Sequence, residues 1–184
     1  MSAFLKKEVI PRLFRHFDSD PLKERLRMLY AWHANSFEQW FKWECVLALD
    51  DVFPWDDDQT QWWLEYPERK KELGVVDMAL LGSNTLFLHL KVFIPGGLQR
   101  KWIGGSGNSV RSDIEKIQRF RGAPAAAILF LLERPEESID LEEEGLPPAD
   151  NAQGPSIELG NVEYAQGRYY HGVRARLLYW SNGI

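Results

Sequence analysis

The chain has 184 residues, 45% hydrophobic and 27% charged, with a net charge of −5. Such a length and balance are ordinary for one globular domain, here spanning 1–184 with a single core. The negative balance excludes a whole-chain attraction for phosphate, so any nucleic-acid site has to be a local basic patch.

Eight Trp, ten Phe and six Tyr exceed what a plain core needs, which places some rings at a groove or a partner. The lone Cys45 lies in an apolar helical stretch, cannot bridge internally, and reads as a buried structural thiol with no call for an oxidising compartment. No run approaches the ~20 apolar residues of a membrane span, and the N-terminal stretch lacks a signal-peptide core. The expectation is a soluble, cytoplasmic protein with no membrane partner.

In chain order, "SDPLKERLRMLYAWHA" predicts a helix, with Ser19 as cap candidate, Pro21 in its first turn, and Leu22, Leu26, Leu29 and Tyr30 at helical spacing. A second helix is expected from Asn35 or Ser36 to the turn at Pro54, with Glu44 close to its apolar face. "PWDDDQT" reads as a solvated turn, since it lacks the spaced acids and central glycine of a calcium loop. "WWLEY", "VVDMALL" and "TLFLHLKVF" follow as three strands of an antiparallel meander, with Asp77 in the second and His89 and Lys91 on one face of the third.

The glycine-rich "IPGGLQRKWIGGSGNS" is a loop without a phosphate-binding fingerprint. A helix is expected from Ser109 with Ile114, Ile117 and Phe120 inward. "APAAAILFLLE" then reads as a strand buried on both faces, reached by a crossover from a parallel neighbour. Residues 133–156 are acidic and rich in Pro and Gly, which predicts a surface excursion or disordered loop. The closing "NVEYAQGRYYHGVRARLLYW" offers a last pair of strands.

Glu44, Glu65, Asp77 and Lys91 set on that scaffold place carboxylates and a lysine at one end of the hairpin, the components for holding a divalent cation and orienting a water in phosphodiester hydrolysis. Here the chain resembles the PD-(D/E)XK nuclease superfamily. The resemblance rests on the α-β-β-β-α-β order over roughly residues 20–133, on "VVDMALL" as the aspartate strand, on "LFLHLKVF" as the acid-x-lysine strand, and on the helix "DIEKIQRF" after the loop. It implies a restriction-endonuclease-like α/β fold with a mixed sheet flanked by helices, a metal-dependent endonuclease activity on DNA, and Mg²⁺ or Mn²⁺ as cofactor.

Carried over by position, the resemblance makes Asp77 the metal-binding aspartate, Lys91 the lysine that positions or activates water, and Glu44 the helical glutamate. His89 stands where the second acid belongs, and an imidazole removes both a charge and a hard oxygen ligand. Three explanations remain open. His89 ligates a softer ion such as Mn²⁺ or Zn²⁺; or Glu65 or Glu115 supplies the missing acid; or catalysis is lost and binding kept. The plainer alternatives are an Asp77–Lys91 ion pair, a packing role for His89 and an ordinary half-buried Glu44.

Arg100, Lys101, Arg111, Lys116, Arg119 and Arg121, with Trp102 among them, form a basic and aromatic cluster suited to phosphates and bases, unless it is only a solvated face. The leading expectation is a nuclease-like protein that acts on or binds DNA through a weakened divalent-metal site. The competitor is a catalytically inactive module that binds a protein partner.

Overall fold

The computed structural model describes residues 3–32, 37–50, 61–67, 72–82, 85–94 and 109–184. The expected start of the second helix at Asn35 or Ser36, the "PWDDDQT" turn and the glycine-rich loop with Arg100, Lys101 and Trp102 lie outside the described residues.

Leu5, Val9, Leu13 and Phe17 recur every four residues and are all buried. They form the inner stripe of a π-helical turn, Leu5–Val9, that runs into helix α1, Ile10–Phe17. The widened turn sits just before Pro11, whose ring crowds the carbonyl four residues back and which has no N–H to give. The sequence reading made no helix here. Helix α2, Asp20–Ala31, follows with Ser19 extended at its cap and Pro21 in its first turn, and buries Leu22, Leu26 and Tyr30. Helix α3, Glu38–Asp50, buries Phe41, Cys45 and Leu49 on one side. The structural role expected for the thiol fits its place, and burial pushes the Cys45 thiol up.

Strands β1 (Gln61–Pro67), β2 (Val75–Leu81) and β3 (Leu86–Phe93) form the antiparallel meander. Helix α4, Val110–Arg119, then leads to β4, Ala125–Glu133, which pairs parallel to β3 with Leu88 opposite Ala126 and Lys91 opposite Leu129. Strands β5 (Ser156–Ala165) and β6 (Arg168–Ser181) complete a six-stranded mixed sheet in the order β1-β2-β3-β4-β6-β5. β4 is buried along its whole length, as a central strand covered on both faces requires.

Its alternation divides the core. Ala126, Ile128, Phe130 and Leu132 face α1, α2 and α3, while Ala125, Ala127, Leu129 and Leu131 face α4. Phe130, Phe17 and Phe41 pack together on the first face, with ring centroids 4.8–5.1 Å apart. α2 lies beside β5, where Arg27 Nε donates to the Leu159 carbonyl at 2.8 Å. The β5–β6 ladder shifts register at three places between Glu158 and Ala165.

The acidic stretch is a packed surface excursion, which overturns its disordered alternative. Ile139, Leu146 and Ala149 are buried in the α4-side core. Trp180 Nε1 donates to the Pro147 carbonyl at 2.8 Å, Asn151 bonds Leu177 and Tyr179, and Asp150 accepts from Ser181. Three apolar anchors and satisfied backbone groups outweigh the low hydrophobicity of the rest. Glu133, wholly buried at its start, is held by Arg174 and Arg176.

No helix among the described residues is long and apolar enough to cross a membrane. Phe130→Ala should destabilise the chain by about 3–5 kcal/mol, since the three-ring contact leaves a cavity that neighbours on a central strand cannot close; equilibrium urea unfolding measures it.

Candidate functional site

The β2–β3 ladder pairs Leu80 with Leu86, Ala79 with Phe87 and Met78 with Leu88, and its register ends there. One residue on, the Asp77 carboxylate replaces a ladder carbonyl: Oδ2 accepts the Leu90 N–H at 2.7 Å. On the other side, β1 and β2 change faces at the same level. Leu64 packs on the helix α1–α3 side and Tyr66 on the α4 side, although residues two apart in a regular strand share a face. Met78 and Val76 opposite them divide in the same way. Between Leu64 and Tyr66 stands Glu65 with φ of 51°, the only positive φ outside glycine among the described residues. A left-handed L-residue costs roughly 1–2 kcal/mol, and the turn it makes brings Glu65 toward Asp77.

The opening is a cavity of about 520 Å³, lined from β1, β2, β3, α3 and α4. Lys42 of α3 reaches in and is 5% exposed. Its Nζ lies 2.5 Å from Glu65 Oε1, 2.8 Å from Asp77 Oδ1 and 3.4 Å from Glu38 Oε1. From β3, His89 Nδ1 lies 3.7 Å from Asp77 Oδ2 and 3.9 Å from Asp113 Oδ1. Lys91 Nζ lies 3.6 Å from Asp113 Oδ2 and 3.8 Å from Glu38 Oε1, and Lys116 Nζ bonds Asp113 Oδ1 at 3.2 Å. Two buried atoms here, His89 Nε2 and Asp113 Oδ2, have no hydrogen-bond partner among the described residues.

The expected Asp77, His89 and Lys91 therefore meet at one cavity, and Lys116 of the basic cluster joins them. Glu65, one of the two candidates for the missing acid, also lines it. Glu44 does not. Its carboxylate takes Arg25 Nη1 at 2.9 Å and His16 Nε2 at 2.8 Å, between α1 and α2. The reason is helical: Glu44 follows Lys42 by two residues, a rotation of about 200°, so the residue facing the cavity along with Lys42 is Glu38, one turn earlier. Glu115 is likewise turned outward to Arg119, and Asp113, two residues before it, is the acid that α4 presents.

Three residues the sequence reading passed over thus belong to the site: Glu38, Lys42 and Asp113. A signal existed in Glu38 and Lys42 at i, i+4 and in Asp113 and Lys116 at i, i+3. The rest of the basic cluster is partly committed. Arg111 donates to the Glu144 carbonyl at 2.7 Å, passing so close to Gly145 that a Cβ there would lie 1.9 Å from its Nη2. Arg121 bonds carbonyls of its own helix end, and Arg119 remains 80% exposed beside Glu115.

The Mg²⁺ or Mn²⁺ that the resemblance implies does not fit this arrangement. Both Asp77 oxygens are taken, one by an ammonium and one by a backbone N–H, and among the described residues no three His, Cys, Asp or Glu groups are placed to hold an ion. No family model matches the chain, and no curated protein or solved structure matches it either.

Burial alone would raise the Asp77 carboxyl, but the His89 ring, Lys42, Lys91 and the Leu90 N–H outweigh it and hold it well below the usual carboxylate range. For Lys42 burial acts downward and is overcome by Asp77 and Glu65, so its ammonium is held above the usual lysine range. A lowered carboxyl gives stability that is present above its unfolded pKa, ~3.9, and lost as pH falls toward the folded value. A raised lysine gives stability that is present below ~10.4 and lost as pH rises beyond it. Thermal melts across pH should therefore show Asp77→Asn losing less stability than the wild type between about pH 4 and 2, and Lys42→Met losing less above about pH 10.

Proposed function

We propose that the chain is a restriction-endonuclease-like module that engages nucleic acid through basic groups beside the Asp77 cavity and does not cleave it with Mg²⁺. The observation carrying this reading is the meeting of Asp77, His89 and Lys91 where β2 and β3 part, inside an α-β-β-β-α-β order whose fourth strand runs parallel to the third. The strained Glu65 backbone at the same point supports it, because such strain concentrates at functional sites. Cleavage is set against by the Asp77 carboxylate, which is spent on Lys42 and Leu90 rather than offered to an ion.

A second reading, binding of a protein partner, is favoured by charge and by rings. The cavity carries five carboxylates, of Glu38, Glu65, Glu72, Asp77 and Asp113, against three lysines, so its own field does not draw phosphate. Trp43 and Leu47 stand exposed one turn apart on α3. Phosphate attraction then rests on groups beside the cavity such as Arg119.

Fluorescence anisotropy with labelled duplex and single-stranded DNA decides between the two. Binding at low salt that weakens steeply as salt is added, with Arg119→Ala lowering the salt slope by about one, is the expected result, together with intact DNA after incubation with Mg²⁺ or Mn²⁺. Absence of binding at low salt gives the site to a protein partner, and cleavage with Mg²⁺ refutes the non-cutting reading.

A further inference from the structure

Among the described residues Trp32, Trp43, Trp63, Tyr164 and Tyr169 are the exposed rings of Trp and Tyr. Trp32 ends α2 and Trp43 lies on α3, helices that pack on the sheet face opposite α4. Tyr164 and Tyr169 belong to the β5–β6 hairpin, past the Glu133 end of β4. Trp63 is placed differently. It is in register with Ala79 of β2, Ala79 with Phe87 of β3, and Phe87 with Ala125 of β4. Residues directly opposite one another share a face, and Ala79, Phe87 and Ala125 all lie in the α4-side core.

Rings mark the same path. Trp63 meets Tyr66 at 6.3 Å between centroids, Tyr66 stacks on Phe87 at 6.0 Å, and Phe87 meets Phe120 edge-on at 5.8 Å. Phe120 caps the C-terminal end of α4, between Arg119 and Arg121. Its carbonyl accepts from Asn182, whose own N–H donates to Ala125, so this helix end stands at the Ala125 end of β4.

We propose that Trp63 is a base-stacking residue, and that the surface from it to Arg119 and Arg121 binds single-stranded nucleic acid in preference to duplex. Phe87 and Phe120 are buried, whereas Trp63 is 49% exposed. Its indole N–H reaches Gln61 Oε1 at 3.4 Å and Tyr66 braces it at a tilt of 57°, so the ring loses little freedom when a flat group stacks on it. The charge beside it suits a polyanion. The Arg119 side chain is 80% exposed, Arg121 is exposed, and Lys116, three residues before Arg119 on α4, lines the Asp77 cavity. Phosphates against such cations and a base on a neighbouring ring are the chemistry of single-strand binding, which a duplex, whose bases are already stacked, cannot satisfy.

This inference rests on the nucleic-acid reading above and narrows it to strands with unpaired bases. Anisotropy at low salt tests it with a labelled thymidine oligonucleotide, an abasic strand of the same length and the corresponding duplex. The wild type should bind the thymidine strand more tightly than the abasic strand or the duplex. Trp63→Ala and Trp63→Leu should weaken the thymidine strand roughly five- to hundredfold and leave the abasic strand unchanged, with the salt slope unaltered because a base carries no charge. Trp63→Phe should restore most of the affinity, and Arg119→Ala should weaken the thymidine and abasic strands alike. If Trp63→Ala is unstable, Trp63→Leu against Trp63→Phe makes the same comparison with apolar bulk retained. Equal binding of thymidine and abasic strands, or a Trp63→Leu chain that binds as the wild type does, overturns this inference and leaves the phosphate reading standing. No binding of any strand overturns both.

Discussion

The pairing of Lys42 with Asp77 is the contact around which the site is organised. Bringing two opposite charges into a protein interior costs several kcal/mol per ion, repaid only where their remaining hydrogen-bonding capacity is also met. Here Asp77 gives one oxygen to Lys42 and the other to the Leu90 N–H, and Lys42 gains Glu65 and Glu38. The arrangement requires β2 and β3 to part at that level, because an aspartate side chain has replaced a strand carbonyl. It requires β1 to turn at Glu65. Cavity, strain and charge cluster thus follow from one pair. Removing Lys42 takes from the buried Asp77 carboxylate its nearest ammonium, whereas removing Asp77 leaves Lys42 with Glu65 and Glu38, so the polarity of the site and the stability of the sheet end are linked chiefly through the lysine.

Charge elsewhere is settled in the same manner. Glu133 at the end of β4 has no exposure and is met by Arg174 and Arg176 of the neighbouring strand. Glu44, buried on the outer side of α3, is met by Arg25 and His16. Among the described residues each buried acid is reached by a base from another element, and each such pair ties two elements together.

The strands were readable because alternation and turn residues report on the backbone directly: the meander, the crossover to β4 and the terminal hairpin all stand where the pattern put them. Asp77, His89 and Lys91 were readable for the same reason. Helix faces were less so. Glu44 has an apolar neighbourhood in the sequence, yet which buried face it occupies depends on where α1 and α2 pack, and nothing local distinguishes the face toward His16 from the face toward Asp77. Pro11 hid α1, since a proline directly after the Val9–Ile10 pair reads as a break until a π turn absorbs it. The loop after β4 was obscured by composition: its acids dominate any average, while Ile139, Leu146 and Trp180, which decide its packing, are few and far apart.

The far side of the sheet has its own consequence. β5 is an edge, and an edge strand offers free backbone groups on which another chain can build. Along this one the ladder slips register three times, which twists the strand out of the flat geometry a templated partner needs. Arg27 of α2 occupies the Leu159 carbonyl, one of the acceptors an added strand would use. Growth of the sheet beyond β5 by strand addition, and aggregation through that border, are thereby discouraged by the same helix that helps close the core.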